Sequence, residues 1–249
     1  MRVTNGVEML EISSETMGRV SFIHPTLIWD NEMAILIDTG YSRQLPKFRE
    51  AFENANVPFG KLSKIIITHQ DLDHIGSLSD IVSESSREIE VLANEVEKPY
   101  IEGDKRILRL TPEAVAKAEA SIPSDVPAEW RKAFLSVLEN PPKGRVDRII
   151  TDGEELPYGG GIVVINTPGH TPGHISLYHK PSKTLIAGDA MVVRDNELQG
   201  PDPQFALDKE LAIESLKKFT QYDIEAVICY HGGLYKGDAN RRIAEIING

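Results

Sequence analysis

Apolar positions in the first forty residues come in short runs, Val7 to Ile12, Arg19 to Ile23 and Ala34 to Ile37, each bounded by Gly, Pro or Asp. Runs of that length with those borders predict strands. The third ends in the turn "ILIDTG". Helical spacing follows, with Leu45, Phe48, Ala51 and Phe52 on one face. Lys64 to Thr68 is the next strand, and its unbroken isoleucines predict burial on both faces. Residues 93–147 change character: two helices are punctuated by Pro123, Pro127 and the pair Pro141-Pro142, and Trp130, Phe134, Val137 and Leu138 share a face of the second. Strands return at Gly161 to Asn166, Ile175 to Tyr178 and Thr184 to Ala187. A helix near Asp208 to Phe219, a strand Ala226 to Cys229 and a helix Asp238 to Ile247 close the chain. "ILIDTG" and "LIAGDA" both end an apolar strand in an aspartate, a faint echo between two β-rich halves.

Composition narrows the classes. A chain of 249 residues with 41% hydrophobic and 26% charged residues reads as one soluble globular domain over 1–249. Its net charge of -11 repels phosphate backbones, so nucleic acid is not the expected partner. No apolar stretch approaches the roughly 18 residues of a membrane-spanning helix. The N-terminus carries no charged head followed by an apolar segment, and Cys229 is the only cysteine. The expectation is a cytoplasmic protein acting on a small molecule.

Candidate chemistry begins at "THQDLDHIGS", directly after the isoleucine run, where His69, Asp71, Asp73 and His74 fall within six residues. Three more stretches place polar groups after or before apolar strands: His170 and His174 in "TPGHTPGH", Asp189 in "LIAGDA" and His231 in "ICYHGG". All could converge on one sheet edge. Crowded carboxylates need compensating cations, and a mixture of imidazole and carboxylate is what divalent transition metals bind.

Here the sequence resembles the metallo-β-lactamase superfamily. His69, Asp73 and His74 lie in the frame of its H-x-H-x-D-H motif, and "TPGHTPGH", "AGD" and "YHGG" match its later motifs in order. The resemblance implies an α+β, four-layer αβ/βα sandwich with two divalent metals at one edge, zinc first, iron or manganese as alternatives. It implies His69 and His170 on the first metal, with Asp71 in place of the usual second histidine. Asp73, His74 and His231 take the second, and Asp189 bridges the two. A hydroxide between the metals, oriented by Asp73 as the catalytic residue, would attack an ester, thioester or lactone. Asp71 has two readings: a hard oxygen ligand favouring iron or manganese, as the glutamate of flavodiiron proteins does, or a turn residue bonded to a ligand.

The remaining candidates are expected to be structural: His174 bonding within its loop, Asp38 bracing, His24 in a loop, His179 exposed at a strand end, Cys229 buried. Tyr41 and Tyr230 are candidate oxyanion donors. The insert at about 93–147 is either a cap over the site or a helix pair packed on the core. Within the family, the glyoxalase II and lactonase-like branch fits best. Val192 stands where quorum-quenching lactonases carry a tyrosine, and only a short helix follows His231, so a glutathione moiety has no expected seat. An iron-dependent redox enzyme, persulfide dioxygenase-like or flavodiiron-related, and a non-catalytic metal-binding protein are the rival classes. A homodimer is a further expectation from the resemblance.

Overall fold

The computed structural model describes residues 1–16 and 19–249, and two sheets organise it. The first has seven strands in the spatial order Arg2–Thr4, Val7–Met9, Thr26–Trp29, Ala34–Ile37, Leu62–Ile67, Glu90–Ala93 and Arg148–Ile149. Pairing is antiparallel as far as Ala34–Ile37 and parallel beyond it. Parallel neighbours need a long crossover, and the helix Leu45–Asn54 supplies the one between Ala34–Ile37 and Leu62–Ile67. The second sheet has six strands, Glu155–Leu156, Ile162–Asn166, Ile175–His179, Thr184–Gly188, Ala226–Cys229 and Gly233–Tyr235. Two hairpins, Ile12–Thr16 with Arg19–Ile23 and Val192–Arg194 with Glu197–Gln199, stand apart from both.

Side-chain alternation along the strands explains how the layers stack, because successive residues face opposite sides of a sheet. Ile35, Ile37, Ile66 and Leu92 of the first sheet meet Val164, Leu177, Ile186 and Ile228 of the second. Their neighbours Ala34, Leu36, Ile65 and Ile67 face the other way, onto Phe48 and Phe52 of the crossover helix and Leu78 and Ile81. On the second sheet, Ile165, Leu185, Val227 and Cys229 face Leu216, Phe219, Ala239 and Ile243. Three apolar interfaces thus separate four layers, helix, sheet, sheet, helix. Each fully buried Leu, Ile or Phe contributes about 1.5–3 kcal/mol relative to exposure.

A strand apolar on both faces does not fix its own register by pattern. Its polar ends do that. Lys64 pairs with Glu90 across the parallel ladder, Nζ to Oε2 2.5 Å, while the opposite end runs into Thr68 and His69.

Several elements differ from the sequence reading. The run Val7 to Ile12 is split between Val7–Met9 and Ile12–Thr16, as the chain leaves the first sheet for a hairpin. Thr26–Trp29 and Glu90–Ala93 are additional strands. The helix expected to Phe219 is α-helical over Lys209–Ser215 and tightens to a 3₁₀ turn at Leu216–Gln221. His179 is buried, not exposed: Ser182 Oγ lies 2.6 Å from its Nδ1 and the Gly159 carbonyl 2.7 Å from its Nε2. The insert holds a short helix Lys98–Ile101 and the helices Pro112–Ala120 and Ala128–Glu139. Trp130 stacks on Phe134 within the last, and Phe134 packs against the first sheet's outer core.

Candidate metal centre

The strand ends carry the site. Ala34–Ile37 terminates in Asp38, whose φ of 63° lies in the left-handed region that aspartate tolerates better than most residues. That turn aims a buried carboxylate at the next strand end: Oδ1 accepts from Thr68 N–H at 2.8 Å, and Oδ2 accepts from Thr68 Oγ1 at 2.8 Å and from His74 Nδ1 at 2.9 Å. With its single proton given to Asp38, the Thr68 hydroxyl accepts from His69 Nδ1 at 3.0 Å. The network therefore assigns both histidines a proton on Nδ1 and leaves Nε2 of each as the nitrogen offered to the site.

The second sheet contributes from three loops. His174 accepts the Asp189 backbone N–H on Nε2 at 3.0 Å and donates from Nδ1 to Thr167 Oγ1 at 2.8 Å. Both of its nitrogens are used, so it positions Asp189 and is not free to bind metal. Gly188, at φ 56°, gives His174 its room; a Cβ there would lie 2.8 Å from Nε2.

The seven predicted ligands come together. His69, His170 and Asp189 converge as one group and Asp73, His74 and His231 as another. Asp189 joins them: Oδ2 is 3.4 Å from both His170 Nε2 and His231 Nε2, and Oδ1 is 3.6 Å from His74 Nε2. Asp73 Oδ2 lies 3.2 Å from His231 Nε2. Asp71 stands beside the first group, its Oδ2 3.4 Å from His69 Nε2 and 3.1 Å from His170 Nε2.

Whether these residues suit a metal is answered by their orphaned atoms. Among the described residues His69 Nε2, His74 Nε2, Asp71 Oδ1 and Asp189 Oδ1 are buried with no hydrogen-bond partner, and such groups are costly unless something binds them. Neutral imidazoles and carboxylates fit a divalent cation. Without a metal, protons on the histidines supply the balancing charge: burial opposes the charge of Asp189, yet His231, His74 and His170 hold its carboxyl well below the usual range, and burial opposes a charged His74, yet Asp38, Asp189 and Asp73 raise it well above its ordinary value. Burial likewise opposes a charged His231, but Asp189 and Asp73 outweigh it and push the imidazole up to about 10.

Two buried or half-buried groups were not found from sequence. Glu97 is fully buried; one carboxylate oxygen accepts from Gln70 N and Nε2 (3.0 and 2.9 Å), the other from Thr171 Oγ1 and Gly173 N (both 2.8 Å). It ties the His69 loop to the His170 loop. Arg109 reaches Asp71 Oδ2 with Nε at 2.6 Å, 38 residues away. No local spacing could reveal either.

The site floors a cavity of about 540 Å³. Asp71, Asp73, His170, Asp189 and His231 form its polar end, Phe22, Ile23, Leu72, Ile107, Leu110, Val192 and Phe205 its apolar walls, with Tyr41 and Arg194 also lining it. From the insert, the segment 107–110 reaches the cavity; Trp130 and Phe134 are not among its lining. Tyr230 lies beneath, its ring tilted by 31° against that of His74 and its Oη donating to the Asp73 carbonyl at 2.5 Å. His24 bonds the Tyr230 carbonyl, away from the cavity.

Comparison with known proteins gives a consistent result. The sequence model of the metallo-beta-lactamase superfamily matches residues 18–231. The probable metallo-hydrolase YflN of Bacillus subtilis (strain 168) is 30% identical over 213 residues, 80% of this chain and 75% of that protein. Hydroxyacylglutathione hydrolase GloC of Haemophilus influenzae is 25% identical over 171 residues, 67% of this chain and 65% of that one. Among solved structures, the metallo-beta-lactamase family protein TTHA1429 from Thermus thermophilus superposes with TM-score 0.68 at 20% identity, covering 99% of this chain and 80% of its own.

Proposed function

The chain belongs to the metallo-beta-lactamase superfamily, and from that premise we propose that it hydrolyses a small-molecule ester, thioester or lactone with two divalent metals, zinc in the first instance. The observation that carries this reading is the set of orphaned atoms, His69 Nε2, His74 Nε2 and Asp189 Oδ1, gathered around Asp189, which itself lines the polar end of an apolar-walled cavity. His69, His170 and Asp189, with Asp71 beside them, would hold one metal; Asp73, His74, His231 and the shared Asp189 would hold the other. Bound there, the metals supply Lewis acidity and a water acidic enough to ionise near neutral pH.

The protein's own groups account for the rest. Asp73 faces both the cavity and His231, so it is the carboxylate to take a proton from the attacking water and return it to the leaving group. Burial, then Asp73 and Asp189, raise the Tyr41 phenol well above its usual range. It stays protonated at working pH and can donate to a carbonyl oxygen as charge develops. The walls around Phe22, Leu110, Val192 and Phe205 suit an acyl group or a lactone side chain. The segment 107–110 makes the insert a cap at its cavity-facing loop. The name of GloC supports a thioester or related acyl substrate.

The test is a panel of acyl thioesters, aryl esters and lactones against protein loaded with zinc, manganese or iron. At least one class should turn over with kcat/KM about a hundredfold above the Asp73→Asn variant, in keeping with general acid–base contributions of 10²–10⁴. Full metal content with no turnover across the panel would sink the hydrolase reading. Asp71, a hard oxygen donor beside the first group, is the observation that keeps an iron-dependent redox reading alongside it. Oxygen uptake by the iron-loaded protein separates the two.

A further inference from the structure

Arg109 lies on the segment between the helices Lys98–Ile101 and Pro112–Ala120, and its side chain is 23% exposed toward the cavity. Nε contacts Asp71 Oδ2 at 2.6 Å; Nη2 contacts His170 Nε2 at 3.0 Å, the His170 carbonyl at 3.1 Å and the Phe205 carbonyl. A guanidinium has donors only, so toward Arg109 the His170 Nε2 accepts, whereas toward Asp71 Oδ2, 3.1 Å away, it can only donate. Arg109 and Asp71 thus compete for the nitrogen that would bind the first metal, and with Arg109 in place its lone pair is occupied. The other group has no such visitor among the described residues: His74 Nε2 is unpartnered, as His69 Nε2 is in the first, and Asp73 and His231 face each other.

We propose that Arg109 is a resident cation of the first metal group, so that the two halves of the centre fill in sequence. Asp73, His74, Asp189 and His231 take metal first. The group of His69 and His170 takes its metal only as the Arg109 fork swings off His170 into the cavity. Charge points the same way, because Asp71 and Arg109 neutralise each other and lessen the pull of the first group on a dication, whereas among the described residues Asp73 and Asp189 pair with histidines and no guanidinium. The carboxylate that stands where the family has a histidine is thus accounted for by its partner: Asp71 with Arg109 presents the same net charge as one neutral imidazole.

This inference rests on the metal-centre part of the function proposed above and on no substrate. Metal-stripped wild type and Arg109→Met are titrated by equilibrium dialysis with zinc alone, and with cobalt(II) followed by its visible absorption. Wild type should take its first equivalent at least tenfold more tightly than its second. Arg109→Met should tighten the second step at least tenfold and leave the first in place. Arg109→Lys, which keeps charge but loses the fork, should fall between, and it serves if the methionine variant does not fold. Two equal steps in wild type, or a second step unmoved or weakened in Arg109→Met, would overturn the proposal and leave hydrolysis standing. No zinc uptake by either protein would overturn both. Absence of turnover with two zinc ions bound in sequence would remove hydrolysis alone.

Discussion

Asp38 is the residue on which the orientation of both motif histidines rests. It accepts from the Thr68 backbone and hydroxyl and from His74 Nδ1, and through Thr68 it fixes His69. Replacing it by asparagine keeps the shape but puts an amide N–H where a carboxylate oxygen received two donors. The expected result for Asp38→Asn is a loss of about 10–100-fold in metal affinity, read by competition with a chromophoric chelator. Wild-type affinity would mean that the adjoining Tyr230 ring, 3.8 Å from His74 between centroids, orients His74 without the carboxylate. Sequence order made Asp38 legible as a brace, because it follows an apolar strand in a turn. His179 was misread for the opposite reason: its partner, the Gly159 carbonyl, comes from a glycine-rich turn 20 residues earlier.

Between elements, the binding loops are held by contacts that leave no local trace. Glu97 is the clearest case, a buried carboxylate with four donors from two loops. Truncation in Glu97→Ala would strand those donors in the interior, at about 1–3 kcal/mol for each that stays unsatisfied. Partial relaxation leaves an expected loss of about 2–4 kcal/mol, measured by urea unfolding. Added zinc should recover part of it, since the loops Glu97 joins also carry His69 and His170. A variant within about 0.5 kcal/mol of wild type would mean the loops are preformed without it. The strands and ligand loops could be read from sequence because each announces itself by a short apolar run ending in a polar cluster. Glu97 and Arg109 could not, since their significance depends on how the insert packs, and the apolar face of Trp130 and Phe134 says nothing about which of its loops reaches the cavity. Thr26–Trp29 was hidden for a simpler reason: only Leu27 and Ile28 of its four residues are aliphatic, whereas the equally short Ala34–Ile37 is apolar throughout.

On the scale of the whole molecule, the centre joins the two sheets. His69, Asp73 and His74 leave the end of Leu62–Ile67 in the first, while His170, Asp189 and His231 belong to loops of the second. A metal held by both groups ties them across the central apolar interface, so its removal should lower stability as well as activity. With free zinc held at 1,000 times Kd, binding to the folded state contributes about 4 kcal/mol. At about 2–4 °C per kcal/mol for a domain of this size, stripping should lower Tm by about 8–16 °C. The gap should also depend on pH, and its sign follows from His231. In the stripped protein its pKa is raised from 6.5 to about 10. The stability this supplies is complete below pH 6.5 and is lost as pH rises through 10. Metal needs the imidazole neutral, so the proton that must leave costs less at higher pH. Asp189 is held below its usual range and stays ionised throughout, adding no slope. These are two views of one linkage, and its sign is fixed: at fixed free zinc, the Tm difference between loaded and stripped protein should widen from pH 7 to pH 9. A difference that stays constant or narrows, measured by calorimetry in metal-buffered solution, would mean that His231 carries no proton in the stripped protein and that Asp73 and Asp189 are balanced by some other cation.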